Sequence, residues 1–256
     1  MAPGVTALPG VRWLPLGSAK IAVSPAHTFG TDAVLLAHFS APKKSDAAVD
    51  LCTGCGVIPL LWLQRGQTAG ATGVDIAPEA IALARQSAAQ NGLQGRVRFI
   101  TADLKNPFAV LPKSSFSLVT CNPPYFTVGA GPQSKTPAGQ TARHEVCCTL
   151  FNVIQTSAAL LCFGGRLALC QRPERLSEVF TLMSAQGIEP KRLQLVCKNK
   201  STAPWLVLVE GRRGGKPGLT VLPNLILYEN GRPTPALQAA YGPFWQFSPG
   251  QENRGE

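Results

Sequence analysis

The stretch Phe116-Ser-Leu-Val-Thr-Cys121-Asn122-Pro123-Pro124-Tyr125 decides how this chain is read. Its first six residues form an apolar run that predicts a buried β-strand, so the tetrapeptide after it lies at that strand's carboxyl end. Two consecutive prolines lack backbone donors and fix φ, which excludes helix and ends the sheet ladder. What remains is a stiff elbow with an amide side chain before it and an aromatic ring after it. Such an elbow suits a flat group that bears an amine.

The chain on either side is regular. Residues 47–51 and 70–75 are short apolar strands that each end in an acid, and residues 96–101 form a third, followed by Asp103. Residues 57–65 predict a mostly apolar helix. Pro78–Gln90 predicts a helix with proline in its first turn, Glu79 near its start and Asn91-Gly92 as its stop. Past the elbow, 150–162 reads as a helix stopped at Phe163-Gly-Gly165, and 174–185 as another helix. Strands are expected at 166–170, 190–196 and 204–210, and a last one at 219–228. Ahead of the core, Arg12 to Val23 predicts a strand or hairpin, and 31–39 a short helix capped by Thr31 or Asp32. Strands alternating with helices at this spacing argue for an open, mostly parallel α/β sheet. In that fold ligands bind beyond the carboxyl ends of the strands, near the topological switch point. The expected division is an N-terminal extension over 1–40, a main domain over 41–232 and a loosely ordered tail over 233–256.

Hydrophobic residues make up 45% of the 256 positions and charged residues 15%, which excludes a disordered chain. Lys and Arg number 24 against 14 acids, a net charge of +10 that favours a polyanionic partner, nucleic acid before acidic membrane. No apolar run is long enough to span a membrane, and the proline-broken start, without basic residues, does not read as a secretory leader. The eight cysteines are scattered through apolar segments, as reduced cytoplasmic thiols are. No metal site is expected: Cys52 and Cys55 would need a second pair at ligand spacing, and Cys147-Cys148 is adjacent.

Asp50-x-x-x-Gly54-x-Gly56 is a glycine-rich turn between the first strand and helix of the core. Val57-Ile58-Pro59 supplies no Lys-Ser/Thr pair for a phosphate loop, and the dinucleotide fingerprint lacks its third glycine. Asp75, ending the next strand, can accept both hydroxyls of a ribose. Asp103 can accept from an adenine amine. Three acids at three successive strand ends, without a phosphate-gripping cation, fit a nucleoside that has no phosphate and carries a positive centre. S-adenosylmethionine is the ordinary ligand of that description. Cys52 and Cys55 read as small residues standing where glycine or alanine would serve; a redox pair would leave Asp75, Asp103 and the elbow without purpose.

The elbow suggests the chemistry. An exocyclic or carboxamide nitrogen is a poor nucleophile because its lone pair is delocalised. Accepting both of its N–H hydrogens localises that pair toward an electrophile, and Asn122 offers a side-chain carbonyl for one, Pro123 a backbone carbonyl for the other. Tyr125 offers a ring face for a flat base, worth about 1–3 kcal/mol. No general base is needed before transfer, so positioning is the main contribution.

Asn-Pro-Pro-Tyr after an Asp-x-x-x-Gly-x-Gly turn resembles the signature of class I amino-group methyltransferases that use S-adenosylmethionine. Adenine-N6 and glutamine-N5 enzymes share it. Phe29-Gly30-Thr31-Asp32-Ala33-Val34-Leu35-Leu36, Ala142-Arg143-His144-Glu145 and Val207 to Lys216 are similar to segments of the bacterial tRNA1(Val) (adenine(37)-N6)-methyltransferase family. Cys52 departs from related motifs, which often have glycine there. The resemblance implies a Rossmann-like, seven-stranded sheet with helices on both faces. It implies N6-methylation of a tRNA adenine near the anticodon, with tRNA as partner and S-adenosylmethionine as cofactor. Asn122, Pro123, Pro124 and Tyr125 are the expected catalytic elbow. Asp50, Cys52, Gly54, Gly56, Asp75, Ile76, Asp103, Leu104 and Asn122 are the expected cofactor contacts. Thr31, Phe126, Arg143, Lys198, Lys200, Arg212, Arg213 and Lys216 are the expected RNA contacts. Little chain precedes Asp50, which disfavours the helical domain usual in glutamine-N5 enzymes, although glutamine or another amine stays open as acceptor, as does a non-catalytic RNA-binding protein of the same fold.

Overall fold

A computed structural model describes residues 10–17, 19–123 and 148–242. The first element among the described residues is a hairpin, β1 (Arg12–Leu16) antiparallel to β2 (Ala19–Val23), as the sequence predicts. Then comes helix α1 (Thr31–Ser40), followed by β3 (Ala48–Leu51), α2 (Val57–Gln64), β4 (Ala71–Asp75), α3 (Pro78–Gln90), β5 (Val97–Thr101) and β6 (Phe116–Cys121). The second half contributes α4 (Leu150–Leu160), β7 (Leu161–Gln171), α5 (Leu176–Ala185), β8 (Ile188–Cys197) and β9 (Pro204–Arg213). Short strands β10 (Thr220–Val221), β11 (Leu225–Ile226), β12 (Tyr228–Glu229) and β13 (Arg232–Pro233) lead to α6 (Pro235–Tyr241), the last helix among the described residues.

The sheet runs β8-β9-β7-β6-β3-β4-β5, with β10 and β11 pairing on the outer edge of β8 to make nine strands. β3, β4, β5, β6 and β7 are mutually parallel, and β9 is antiparallel to both β7 and β8. The seven-stranded, mostly parallel sheet expected from the sequence is therefore present. Strand order reverses between β3 and β6, so the switch point lies between Leu51 and Cys121, which are paired.

Both faces are covered, which explains the unbroken apolar runs of the central strands. Alternate residues serve opposite cores. Ala48, Leu118, Ala168 and Leu208 join a core with α1, α2, α3 and the hairpin. Val49, Val119, Leu167 and Val209 join a second core with α4 and α5.

Four sequence expectations are corrected. Neither Thr31 nor Asp32 caps α1: Gly30 takes the N-cap, which places both residues in the first turn. Helix α4 ends at Leu160, and the Gly164-Gly165 pair sits inside β7, where its register with β6 shifts. A Cβ on Gly165 would lie 3.0 Å from the carbonyls of Cys162 and Phe116, so this glycine serves a bulge rather than a helix stop. The single strand expected over 219–228 is broken into β10, β11 and the start of β12. Finally, the tail is structured as far as residue 242. Thr234 caps α6, and Leu237 and Ala240 are buried where that helix packs against α1 and β11.

Candidate active site

Each core acid sits where a parallel strand ends. Asp50, on β3, is wholly buried between its neighbours Gly73 and Thr120. The Thr120 hydroxyl donates to its Oδ1 at 2.6 Å, while Oδ2 is buried without a hydrogen-bond partner. Burial pushes the Asp50 carboxyl up to about 7, against the Thr120 bond and the pull of the nearby Thr53 hydroxyl, with the Asp75 charge adding to the rise.

Asp75 ends β4 and is half-buried. Its Oδ2 accepts the Gly54 N–H at 2.8 Å and its Oδ1 the Ala77 N–H at 3.0 Å. The carboxylate thus clips the glycine turn to the end of the neighbouring strand. Ile76 beside it is 37% exposed, an apolar surface at the rim. Asp103 lies two residues past β5, exposed, and accepts the Lys105 N–H at 2.9 Å. Leu104 is buried, and its carbonyl takes the Thr156 hydroxyl at 2.6 Å.

The turn departs from regular backbone at three positions. Cys52 has φ +54, a left-handed conformation that disfavours a side chain; this is the position where related motifs carry glycine. Gly54 has φ +54 as well, and a Cβ there would meet nothing within 4 Å, so the space above it is open. At Gly56, φ is +81 and a Cβ would stand 2.6 Å from the Phe99 ring, so glycine is needed there for packing as much as for any ligand. The Cys52 thiol hydrogen-bonds with Cys121 and Cys148; the Cys121 bond and burial raise its pKa, against the opposite pull of the Cys148 bond. Cys55 points elsewhere: it is buried, and burial pushes its thiol up to about 12, which keeps it protonated. The pair is not arranged as a redox couple.

Asn122 follows β6 directly, across the switch point from the turn, and is half-buried. Its Nδ2 donates to Asp32 Oδ2 at 3.0 Å, and its Oδ1 accepts from the buried Cys170 thiol at 3.0 Å. Pro123 is buried beside it. Pro124, Tyr125, Phe126 and Arg143 lie outside the described residues. Asp32 and Cys170 were missed as site residues. For Cys170, on β7, nothing in the sequence marks it out; for Asp32 the signal was an acid inside the segment resembling a known family.

The expected RNA contacts divide. Thr31 lies beside Asp32, its hydroxyl 3.2 Å from that of Tyr241. Lys198 and Lys200 follow β8 at the same end of the sheet as Asn122, and Lys200 pairs with Glu229. Arg212, Arg213 and Lys216 are not brought to the site. Arg212 pairs with Arg166, which is level with Leu118, so it sits four strand residues, roughly 13 Å, below Asn122. Its guanidinium donates to the Gly164 carbonyl, and Arg213 donates to the carbonyls of Ala158 and Leu161 at the end of α4. The reason is topological: β9 runs antiparallel, so its carboxyl end points away from the site.

The strand order, with one antiparallel strand beside the parallel set, defines a Rossmann-like methyltransferase fold. A predicted O-methyltransferase from Agrobacterium tumefaciens shares it, with a TM-score of 0.68 over 84% of this chain and 98% of that one, at 22% identity. Residues 28–175 match the model of the methyltransferase small domain, and the chain belongs to that family. It is 29% identical over 191 residues to a tRNA1(Val) (adenine(37)-N6)-methyltransferase from Porphyromonas gingivalis, covering 72% of this chain and 73% of the relative. A ribosomal protein uL3 glutamine methyltransferase from Bordetella pertussis is 34% identical over 95 residues, covering 36% of this chain and 31% of the relative.

Proposed function

We propose that this chain transfers a methyl group from S-adenosylmethionine to N6 of an adenine in tRNA, in the anticodon-loop region of a tRNA1(Val)-like molecule, in the cytoplasm. Its catalytic domain spans 41–232, and the extension before it supplies α1. The observation that carries the reading is Asn122: an amide fixed at the switch point, at the end of the sheet that also carries three strand-end acids and a glycine turn with open space above it. The Porphyromonas relative's specificity and the +10 charge support an RNA acceptor.

The residues present fit the donor. Asp50 has a buried oxygen without a hydrogen-bond partner at the strand end that leads into the turn, which suits a cationic group. Asp75 keeps lone pairs on both oxygens for ribose hydroxyls while its backbone bonds hold it still. Ile76 offers exposed apolar surface to the adenine ring, and Asp103 an acceptor for its amine. When bound, S-adenosylmethionine supplies an electrophilic methyl carbon. On the acceptor side, Asn122 Oδ1 and the Pro123 carbonyl take the two N–H hydrogens of the adenine amine, which turns its lone pair outward, and Tyr125 stacks the base. The nitrogen becomes acidic on alkylation and releases its proton to solvent, so this arrangement needs no dedicated base. A target in a single-stranded loop costs less to unstack than one in a duplex.

Asn122→Ala should abolish methyl transfer to tRNA while the S-adenosylmethionine Kd stays within about twofold of wild type. Wild-type-like turnover in that variant would sink the mechanism. The tetrapeptide also suits a glutamine acceptor, and the Bordetella relative supports that second reading over the core alone. Mass spectrometry of tRNA and ribosomal protein from a strain lacking this protein separates the two: loss of N6-methyladenosine supports tRNA, and loss of methylglutamine supports the alternative.

A further inference from the structure

The Asn122 amide can face the acceptor in two ways, and only one places an oxygen where an amine hydrogen arrives. With the groups exchanged, Nδ2 would confront the amine donor to donor. We propose that Asp32 is the positioning residue that sets this choice, which rests on the function proposed above. Asp32 Oδ2 takes the Nδ2 hydrogen at 3.0 Å, and a reversed amide would set its carbonyl oxygen against the carboxylate. The buried Cys170 thiol donates to Oδ1 from beneath at 3.0 Å and favours the same orientation. The bond to a charged acceptor also polarises the amide, which makes Oδ1 a better acceptor.

Asp32 is itself held. Its Oδ1 accepts the Ala33 N–H at 2.9 Å, and it stands in the first turn of α1, where a negative charge is favoured. Gly30 leaves it room, because a Cβ at Gly30 would lie 2.7 Å from Asp32 Oδ1. Gly30 has φ −114, open to any residue, so alanine there does nothing except displace the carboxylate.

This role makes an unusual demand of the isosteric variant. In Asp32→Asn the new amide must turn its oxygen to the Ala33 N–H, leaving its NH2 toward Asn122. Asn122 then turns its own oxygen to that NH2 and presents nitrogen to the acceptor. A merely structural contact would tolerate Asn better than Ala; an orienting carboxylate does not.

The test compares wild type, Asp32→Ala, Asp32→Asn and Gly30→Ala for tRNA methylation, cofactor Kd and melting temperature. Expected is a kcat about 100-fold lower in Asp32→Asn and a loss no greater than that in Asp32→Ala, with roughly 10-fold in Gly30→Ala. Cofactor Kd and RNA KM should stay within about threefold. Wild-type kcat in Asp32→Asn overturns the proposal, as does a loss that tracks melting temperature across the series. Failure of wild type itself to methylate tRNA would count against the functional reading instead. The orientation remains testable then, from the side-chain amide resonances of Asn122, identified by their absence in Asn122→Asp. One proton should be shifted downfield by the carboxylate in wild type and return in Asp32→Asn; identical resonances in both overturn the proposal.

Discussion

Asp50 should make this protein less stable as pH rises, and replacing it should reverse that. Burial holds the Asp50 carboxyl at about 7, against 3.8 in the unfolded chain. The folded protein therefore keeps a proton that the unfolded chain releases, across the window from about pH 4 to 7. The stability tied to that proton is complete below the unfolded value, falls through the window and is gone above 7. The span corresponds to about 4 kcal/mol, of which about 3 lies between pH 5 and 8. Asn is nearly isosteric with the protonated acid and never ionises. Urea unfolding of ligand-free Asp50→Asn should thus gain about 3 kcal/mol relative to wild type between pH 5 and pH 8. A difference that is equal at the two pH values would refute the reasoning.

The same proton should couple to the cofactor. A cation bound against the unpartnered Oδ2 requires the carboxylate, so binding must expel the proton below pH 7. Wild-type Kd for S-adenosylmethionine should weaken by up to about tenfold per pH unit below 7 and level off above it. Calorimetry in buffers of different ionisation enthalpy should register the released proton near pH 6. In Asp50→Asn the affinity should be weaker throughout and flat with pH.

Asp75→Ala should weaken cofactor binding by an order of magnitude or more, and strand the Gly54 and Ala77 N–H groups at about 1–3 kcal/mol; an unchanged Kd by titration would refute the assignment. Cys52→Gly removes a left-handed side chain costing about 1–2 kcal/mol, partly offset by glycine's flexibility, so its urea midpoint should rise slightly with activity retained. A fall would mean that the thiol contacts with Cys121 and Cys148 outweigh the strain. Arg213→Leu should lose about 1–3 kcal/mol in unfolding experiments by uncapping α4, with RNA affinity unchanged. A drop in RNA affinity at constant stability would return Arg213 to the interface.

What could be read from the sequence was local. The elbow, the glycine turn and helix α3 announce themselves through prolines, glycines and short-range periodicity, and α3 runs from Pro78 to Gln90 as expected. Placement across the sheet could not be read that way. Arg212 and Lys198 look alike as loop cations, and only the reversed direction of β9 puts one at the far rim and the other at the same end of the sheet as Asn122. The bulge at Gly165 resembled a helix stop because both uses of glycine leave the same letter. Thr120 was a polar residue inside an apolar strand; its partner, Asp50, is on another strand, so only the register shows its purpose. The hairpin was legible, but not that Asn91 binds it, accepting the Lys20 N–H at 3.0 Å and donating to the Lys20 carbonyl at 2.7 Å.

An elbow that works by geometry needs a rigid mount, and the segments outside the parallel core provide one. Helix α1 is fastened near its carboxyl end by Trp62 of α2, whose Nε1 donates to the Ala37 carbonyl at 3.2 Å and the Ser40 hydroxyl at 3.3 Å. Near its amino end, Thr31 meets Tyr241 of α6, and Arg65, just past α2, donates to the Ala240 carbonyl. Leu35 and Leu36 between these anchors are fully buried. The helix that carries Asp32 is thus tied to α2 directly at one end and through α6 at the other, and α2 leads out of the glycine turn that Asp75 clips to β4. Donor side and acceptor side share one support, so a displacement of the turn would reach Asn122 through α1 as well as through the sheet. That accounts for an extension and a C-terminal helix, neither contributing a strand to the central sheet, being packed against it: together they hold one carboxylate in line with one amide.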